Sequence, residues 1–353
     1  CAAAEETPEP GLNEATFAGL EWRGIGPALL SGRIADIAVD PVDRSTWYIA
    51  VGSGGVWKTV NRGTTWQSVF DGQGSYSIGC VTVDPNNRHV VWVGTGENVS
   101  GRHVGYGDGV YRSLDGGTTW TSMGLEATEH IGNIVVHPEN SDVVYVAAQG
   151  PLWSKGGQRG LYRTVDGGVT WTRLLGDDAY TGVNEVRMDP RNPDVLYAAT
   201  HQRARNVAVL MNGGPGSGIH KSTDGGATWR RLETGLPEED MGKIGLAISP
   251  LDPDVVYATI ELAQRKGGVY RSVDGGESWR NVGLRDSGRI GRILVHPKDP
   301  DVAWVAALGH LYGPQAERGV YKTIDGGTTW TRVLFVDEAT GAVDLAFDPG
   351  NPR

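Results

Sequence analysis

Four side chains are the ones to test for acid–base or electrostatic catalysis: Arg33, Glu97, Asp108 and Glu185. The chemistry they would suit is glycoside hydrolysis, because retaining and inverting mechanisms both require two positioned carboxyl groups. Other residues are better suited to recognition. Arg33, Ser77, His130, Glu185, Lys243, Arg289 and Asp344 make a mixed-charge set that fits a polar or zwitterionic ligand, or equally a solvated channel. Trp153, His201, Arg203, Arg205, His310 and Tyr312, with Glu97, His103, Tyr106 and Asp108, combine aromatic and arginine side chains of the kind that anchor interfaces. Exposed rings of this kind also stack on sugars. No metal is expected, since no two-His spacing on one element and no calcium-loop pattern accompanies His103 and Asp108. Gly213-Gly214-Pro215-Gly216-Ser217-Gly218 lacks the lysine of a phosphate loop, and no serine nucleophile elbow occurs. The expectation is no cofactor.

What must position these groups is an octet written six times. Ser113-Leu114-Asp115-Gly116-Gly117-Thr118-Thr119-Trp120 is one copy, and the others begin at Thr59, Thr164, Ser222, Ser272 and Thr323. The closing tryptophans, Trp66, Trp120, Trp171, Trp229, Trp279 and Trp330, recur every 50 to 58 residues. A period of that size marks a repeat architecture. The Ser or Thr ends a strand, and the acid accepts hydrogen bonds from its own turn. The Gly-Gly pair permits angles that a Cβ forbids, and Thr-Trp restarts a strand. Asn61, Asp115, Asp166, Asp224, Asp274 and Asp325 are therefore structural, not catalytic or metal-binding. In the first copy Asn61-Arg62-Gly63 replaces Asp-Gly-Gly, so that turn should be the least regular.

Between octets the strands follow a fixed grammar. Ile34–Val39 runs into Asp40-Pro41, Trp47–Val51 follows, and Gly55–Thr59 enters the octet. The first-strand turn recurs as Asp84-Pro85, His137-Pro138, Asp189-Pro190, Ser249-Pro250, His296-Pro297 and Asp348-Pro349. There are thus seven first strands, the last at Ala342–Phe347, for six octets. The expected fold is an all-β propeller of four-stranded antiparallel blades, seven-bladed with an incomplete last blade, or alternatively six-bladed. Leu20–Ile25 would supply the last blade's fourth strand. One propeller domain is expected over 19–353, with truncation at its C-terminus, behind an expected flexible 1–18 tether.

Composition agrees with many short strands and tight turns, with 53 Gly, 12 Trp, 12 Tyr and 4 Phe. A net charge of −10 argues against nucleic acid as a partner. No run approaches the roughly 18 apolar residues of a membrane span. Cys80 lies in an apolar run and reads as a small buried hydrophobe. Cys1, followed by Ala2-Ala3-Ala4-Glu5-Glu6, resembles the start of a mature bacterial lipoprotein. That implies a lipid anchor at Cys1 and an extracytoplasmic, cell-envelope location.

The octet resembles the Asp-box, or BNR repeat, which joins the third and fourth strands of a propeller blade. Residues 20–353 are similar to bacterial secreted Asp-box propellers related to the sortilin N-terminal propeller, and Trp22-Arg23-Gly24-Ile25-Gly26-Pro27 with Ser31-Gly32-Arg33 looks like the start of that group. Sialidases and xyloglucan-cleaving propellers share the repeat. Arg33-Ile34 stands roughly where the first sialidase arginine would be, but Ala35 replaces the expected proline. Where xyloglucan-cleaving propellers place an early catalytic Asp, this chain has Val51-Gly52-Ser53-Gly54-Gly55 without a carboxylate.

In such a fold the loops from fourth to first strand and from second to third strand share one face, with the Asp-boxes on the other. The long insertions Glu97–Gly109, Gly150–Gly160, His201–Gly218, Leu262–Gly268 and Gly309–Gly319 all belong to the first face. Long loops on a rigid scaffold are where recognition is built. The expected function is a monomeric binding scaffold for a peptide, protein or glycan on that face. The alternatives are a sialidase-like or glucanase-like glycoside hydrolase at the same place, and a part that only helps assemble a larger cell-envelope complex.

Overall fold

The computed structural model describes residues 32–176, 178–310 and 313–347. Cys1 with the 1–18 segment, Leu20–Ile25, Tyr312 and Asp348-Pro349 lie outside the described residues. Among the described residues six antiparallel sheets follow one another, each with four strands in chain order and one of them with a fifth strand paired outside that order. Their first strands are Ile34–Val39, Ile78–Val83, Ile131–His137, Thr181–Asp189, Ile244–Ile248 and Ile290–His296, which begin blades 1 to 6. In blade 4 the second strand, Asn192–Arg205, runs far beyond its partner, and its overhang pairs with Leu210–Asn212. No helix among the described residues is long and apolar enough to cross a membrane.

The seven-bladed expectation is corrected to six. Ala342–Phe347 has the composition of a first strand, yet it forms no ladder among the described residues. It lies along blade 6 instead: the Ala342 amide donates to the Ala307 carbonyl, and Phe347 packs edge-on against Trp304 with ring centroids 5.2 Å apart. Apolar periodicity proposes a strand, but only a paired neighbour satisfies its backbone.

The cores lie between blades. Tyr48, Ala50, Val56 and Phe70 of blade 1 pack with Ile78, Val81, Val91 and Val93 of blade 2, and equivalent clusters join later neighbours. Each Asp-box then locks the seam. In blade 2, Ser113 Oγ donates to Asp115 Oδ1 at 2.8 Å and accepts from the Gly117 amide at 2.8 Å, while Asp115 Oδ1 accepts from the Thr119 amide at 2.8 Å. Gly116 and Gly117 sit at φ 69° and 90°, angles that a side chain resists. The carbonyl of Gly116 accepts from Tyr48 Oη and Lys58 Nζ of the preceding blade, at 2.9 and 2.7 Å.

The first box keeps the same geometry, against the expectation that it would be least regular. Thr59 Oγ1 donates to Asn61 Oδ1, and Asn61 Oδ1 accepts from the Thr65 amide, both at 2.9 Å. An amide can replace the carboxylate because Asn61 Nδ2 donates to Thr65 Oγ1, reversing the direction of that bond. The departure is borne by Arg62, which takes φ 58° where the other boxes have glycine.

Candidate functional site

Five of the six first strands carry a bulge near their start, at Ala35, Gly79, Gly132, Asn184 and Gly291. A bulge re-aims the residues that follow it. Glycine at two of these points lets adjacent first strands touch, a Cβ on Gly79 standing 2.0 Å from the Ile131 carbonyl oxygen and one on Gly132 2.5 Å from that of Asn184, and Gly291 lets Val343 approach in the same way. Asp36, Asn133, Glu185 and Arg292 follow their bulges and all face the central channel, which encloses about 210 Å³.

The channel is lined by fixed charges. Arg33 holds Glu97 with two guanidinium nitrogens, and Glu97 is buried. Arg292 bridges two blades and the chain beyond them, donating to Asp36 Oδ1 at 2.6 Å and to Asp344 Oδ1 at 2.5 Å. Burial raises the Asp36 carboxyl above its ordinary range, with the nearby Asp344 charge adding to it and Arg292 opposing. Arg289 Nε lies 3.1 Å from Glu261 Oε1, and Arg187 lies 2.7 Å from Glu185. Lys243 donates to the Asn98 carbonyl at 2.9 Å. Burial and the Arg203 cation lower its ammonium to about 8.

Of the four residues singled out for catalysis, Arg33, Glu97 and Glu185 share the channel, and Asp108 does not. Asp108 accepts from Tyr111 Oη at 2.6 Å and Thr95 Oγ1 at 3.2 Å, which makes it a strand-end clamp. Within the mixed-charge set, Lys243 and Arg289 also line the channel, and Asp344 joins through Arg292. Ser77 and His130 are buried supports: Ser77 Oγ accepts from the Glu97 amide, and His130 Nδ1 lies 3.0 Å from the Glu97 carbonyl.

The long-loop set divides similarly. Tyr106 is 55% exposed, with its ring 6.0 Å from that of His130. Trp153 is half-buried beneath the Arg205 guanidinium. His201 and Arg203 are buried, and His310 is half-buried. Burial, reinforced by the Arg203 charge, lowers His130 to about 3 and pushes His201 well below its ordinary value. The exposed His103 and the clamped Asp108 belong to no metal-binding group among the described residues.

Sequence reasoning missed Asp36, Arg292, Glu261 and Asn98. The first two follow bulges, where strict two-residue alternation fails by one position. It also missed a repeated loop clamp. Arg159 donates to the carbonyls of Gln149, Pro151 and Ser154, and Arg318 does the same to Leu308, His310 and Gly313. The signal was present in Arg159-Gly160 and Arg318-Gly319, each just before a third strand.

Comparison with known proteins fits this architecture. The family model described as sortilin, neurotensin receptor 3, matches residues 217–351. A xyloglucanase of a Paenibacillus species is 26% identical over 230 residues, covering 56% of this chain and 20% of that protein. The chain thus spans about a fifth of that relative's length. The GH74 xyloglucanase structure from Xanthomonas campestris superimposes with a TM-score of 0.60 at 19% identity, covering 83% of this chain and 45% of that one. YCF48 bound to D1 peptide superimposes with a TM-score of 0.54 at 15% identity, covering 88% and 91%. The two structures speak for the fold alone. The chain is similar to sortilin-like and xyloglucanase-like Asp-box propellers.

Proposed function

We propose that this propeller is a binding module that holds a polar chain, a peptide or protein segment or a glycan, at the channel mouth on its long-loop face. One observation carries the reading. Every carboxylate among the described lining residues, Asp36, Glu97, Glu185 and Glu261, is paired with an arginine. A hydrolase needs one carboxyl group free to protonate a leaving group and a second free to attack or to activate water. Paired carboxylates instead present a fixed pattern of donors and acceptors. No aromatic side chain among the described residues lines the channel, so sugar stacking would fall to the exposed rim, at Tyr106. The net charge of −10 disfavours nucleic acid as the chain held. The likeness to xyloglucanases, named for a polysaccharide, supports an extracytoplasmic setting.

Glycoside hydrolysis is the second reading, favoured by Asp36 and Asp344 meeting on one arginine and by the similarity to xyloglucanases. The test is incubation with xyloglucan and with sialosides, followed by mass spectrometry of released sugar. The binding reading expects no release. Release that vanishes in Asp36→Asn would sink it.

A further inference from the structure

The second-to-third-strand loop of blade 2 leaves its own sheet and crosses the channel mouth, where Asn98, Val99 and Ser100 form part of the cavity wall. Its main-chain carbonyls are taken one after another by side chains of other blades. His130 Nδ1 of blade 3 lies 3.0 Å from the Glu97 oxygen. Lys243, just before the first strand of blade 5, donates to Asn98 at 2.9 Å. Arg203 and Arg205, on the overhanging second strand of blade 4, donate to Val99 and Ser100 at 3.1 and 2.6 Å. Side-chain contacts hold the segment at its start, through Glu97 with Arg33 and Asn98 with Gln149 and the Gly132 carbonyl, and again beyond Ser100, where Arg102 donates to the Val207 carbonyl at 2.9 Å.

We propose that the seat beneath Asn98–Ser100 is a binding site for an extended peptide main chain, and that this segment is its built-in competitor. The donors address consecutive carbonyls, which every peptide carries, so the seat reads main chain and not sequence. The segment itself is lightly held by packing, since the Val99 side chain is 36% exposed while its carbonyl is tied down. Finally, exchanging one set of carbonyls for another at a wet channel mouth changes the hydrogen-bond total very little, so an incoming chain can replace the segment at small net cost. Lys243 would otherwise face the mouth as a desolvated cation, lowered by burial to about 8, and the buried Arg203, lowered to about 9, would keep only the Gly150 carbonyl. A carbonyl-presenting strand is the neutral ligand that such cations select. The inference rests on the binding reading above and names its ligand class.

The test uses the full chain and its Glu97→Gln/Asn98→Ala variant, which frees the start of the segment and leaves the four donors in place. The probe is a labelled peptide, acetyl-Glu-Asn-Val-Ser-Gly-amide, with an all-alanine peptide of equal length beside it, followed by fluorescence anisotropy. The released variant is expected to bind both peptides at least tenfold more tightly than the unaltered chain, and added Lys243→Met and Arg205→Met substitutions should abolish the gain. Equal affinity in both proteins, no binding by a released variant with an intact near-ultraviolet circular dichroism signal, or binding of xyloglucan oligosaccharides instead of peptide would overturn the inference. The last outcome would leave the general binding reading standing, whereas sugar release in the hydrolysis assay would sink that reading without touching the peptide data. If the variant fails to fold, hydrogen exchange on the unaltered chain decides. Amides 98–102 should exchange at least a hundredfold faster than those of Val91–Thr95, and equal protection would show a permanent structural hub.

Discussion

The two faces of this propeller solve the same problem, closing a ring of sheets, by opposite means. On the Asp-box face each acid, or Asn61 in the first copy, bonds within its own octet. Its Oδ1 accepts from the residue four positions on, at 2.8 to 2.9 Å in all six copies. On the channel face the Arg159 and Arg318 loop clamps repeat, but among the described residues the charged contacts that line the channel do not. Arg292 reaches Asp36 across 256 residues of sequence, and Lys243 reaches Asn98 across 145. The first face is built from local geometry copied six times. The second is built from long-range pairs that occur once each, and such pairs are free to diverge into a site.

The comparison breaks first at Arg292. Replacing it by Met leaves Asp36 and Asp344 facing each other in a largely buried place, where removal of one partner from a buried ion pair costs about 3–5 kcal/mol. Chemical denaturation should show that loss, and adding Asp36→Asn and Asp344→Asn should recover much of it. A loss below about 1 kcal/mol would mean that the channel pairs carry no more weight than surface pairs.

Acid should separate the two faces next. His130 is held at about 3 by burial and by the Arg203 charge, below its ordinary 6.5. Between those values the unfolded chain binds a proton that the folded chain refuses, so stability falls as pH drops below 6.5, by about 1.4 kcal/mol per unit at most. By pH 5 the loss is about 2 kcal/mol. Asp115, Asp166 and Asp224 of the boxes are lowered to about 2, chiefly by hydrogen bonds in their own turns, and Asp325 is lowered by the same cause. Their contribution is present above about 3.8 and is lost only as pH falls toward 2. Hydrogen exchange followed by mass spectrometry should therefore show the segments around Glu97 and His130 loosening at pH 5 while the boxes stay protected. Simultaneous loosening would contradict the assignment.

The octet itself offers a smaller effect. Ser113→Ala removes the buried hydroxyl that accepts from the Gly117 amide and donates to Asp115. An orphaned buried donor costs about 1–2 kcal/mol. The equivalent Ser222→Ala and Ser272→Ala should cost the same within experimental error, because their Oγ atoms hold the same amides at 2.9 and 2.8 Å. Widely unequal losses would show that the boxes are not interchangeable units.

How much could be read in advance follows the same division. The boxes were legible because residues 113 to 120 contain both the donors and the acceptors of their turn. The propeller and its long-loop face followed from the period. Blade number was not legible, because Ala342–Phe347 has a strand's composition without a strand's partner. In the channel, Arg33, Glu185, Lys243 and Arg289 were found by counting from first strands, while Asp36 and Arg292 were lost to bulges that shift the count by one. Asn98 could not have been found at all. Its importance lies in a carbonyl that every residue has, and only the fold brings Lys243 to it.

The smallest prediction concerns the one box that departs from the pattern. Arg62 sits at φ 58°, where the corresponding glycines take 66° to 69°. An L-residue in that region pays a steric penalty of about 1–2 kcal/mol, and a glycine there avoids it but gives up about 0.4–1 kcal/mol through a freer unfolded chain. Arg62 is exposed, so little packing is lost with it. Arg62→Gly should therefore stabilise the protein by about 0.5–1 kcal/mol, seen as a rise of about 1–2 °C in Tm. Asn61→Asp alone should change less, since the Asn61 amide already accepts from the Thr65 backbone and merely reverses one side-chain bond. If Arg62→Gly instead destabilises, the first box draws on contacts of the arginine that the other five lack, and the repeat is less strict than its hydrogen bonds suggest.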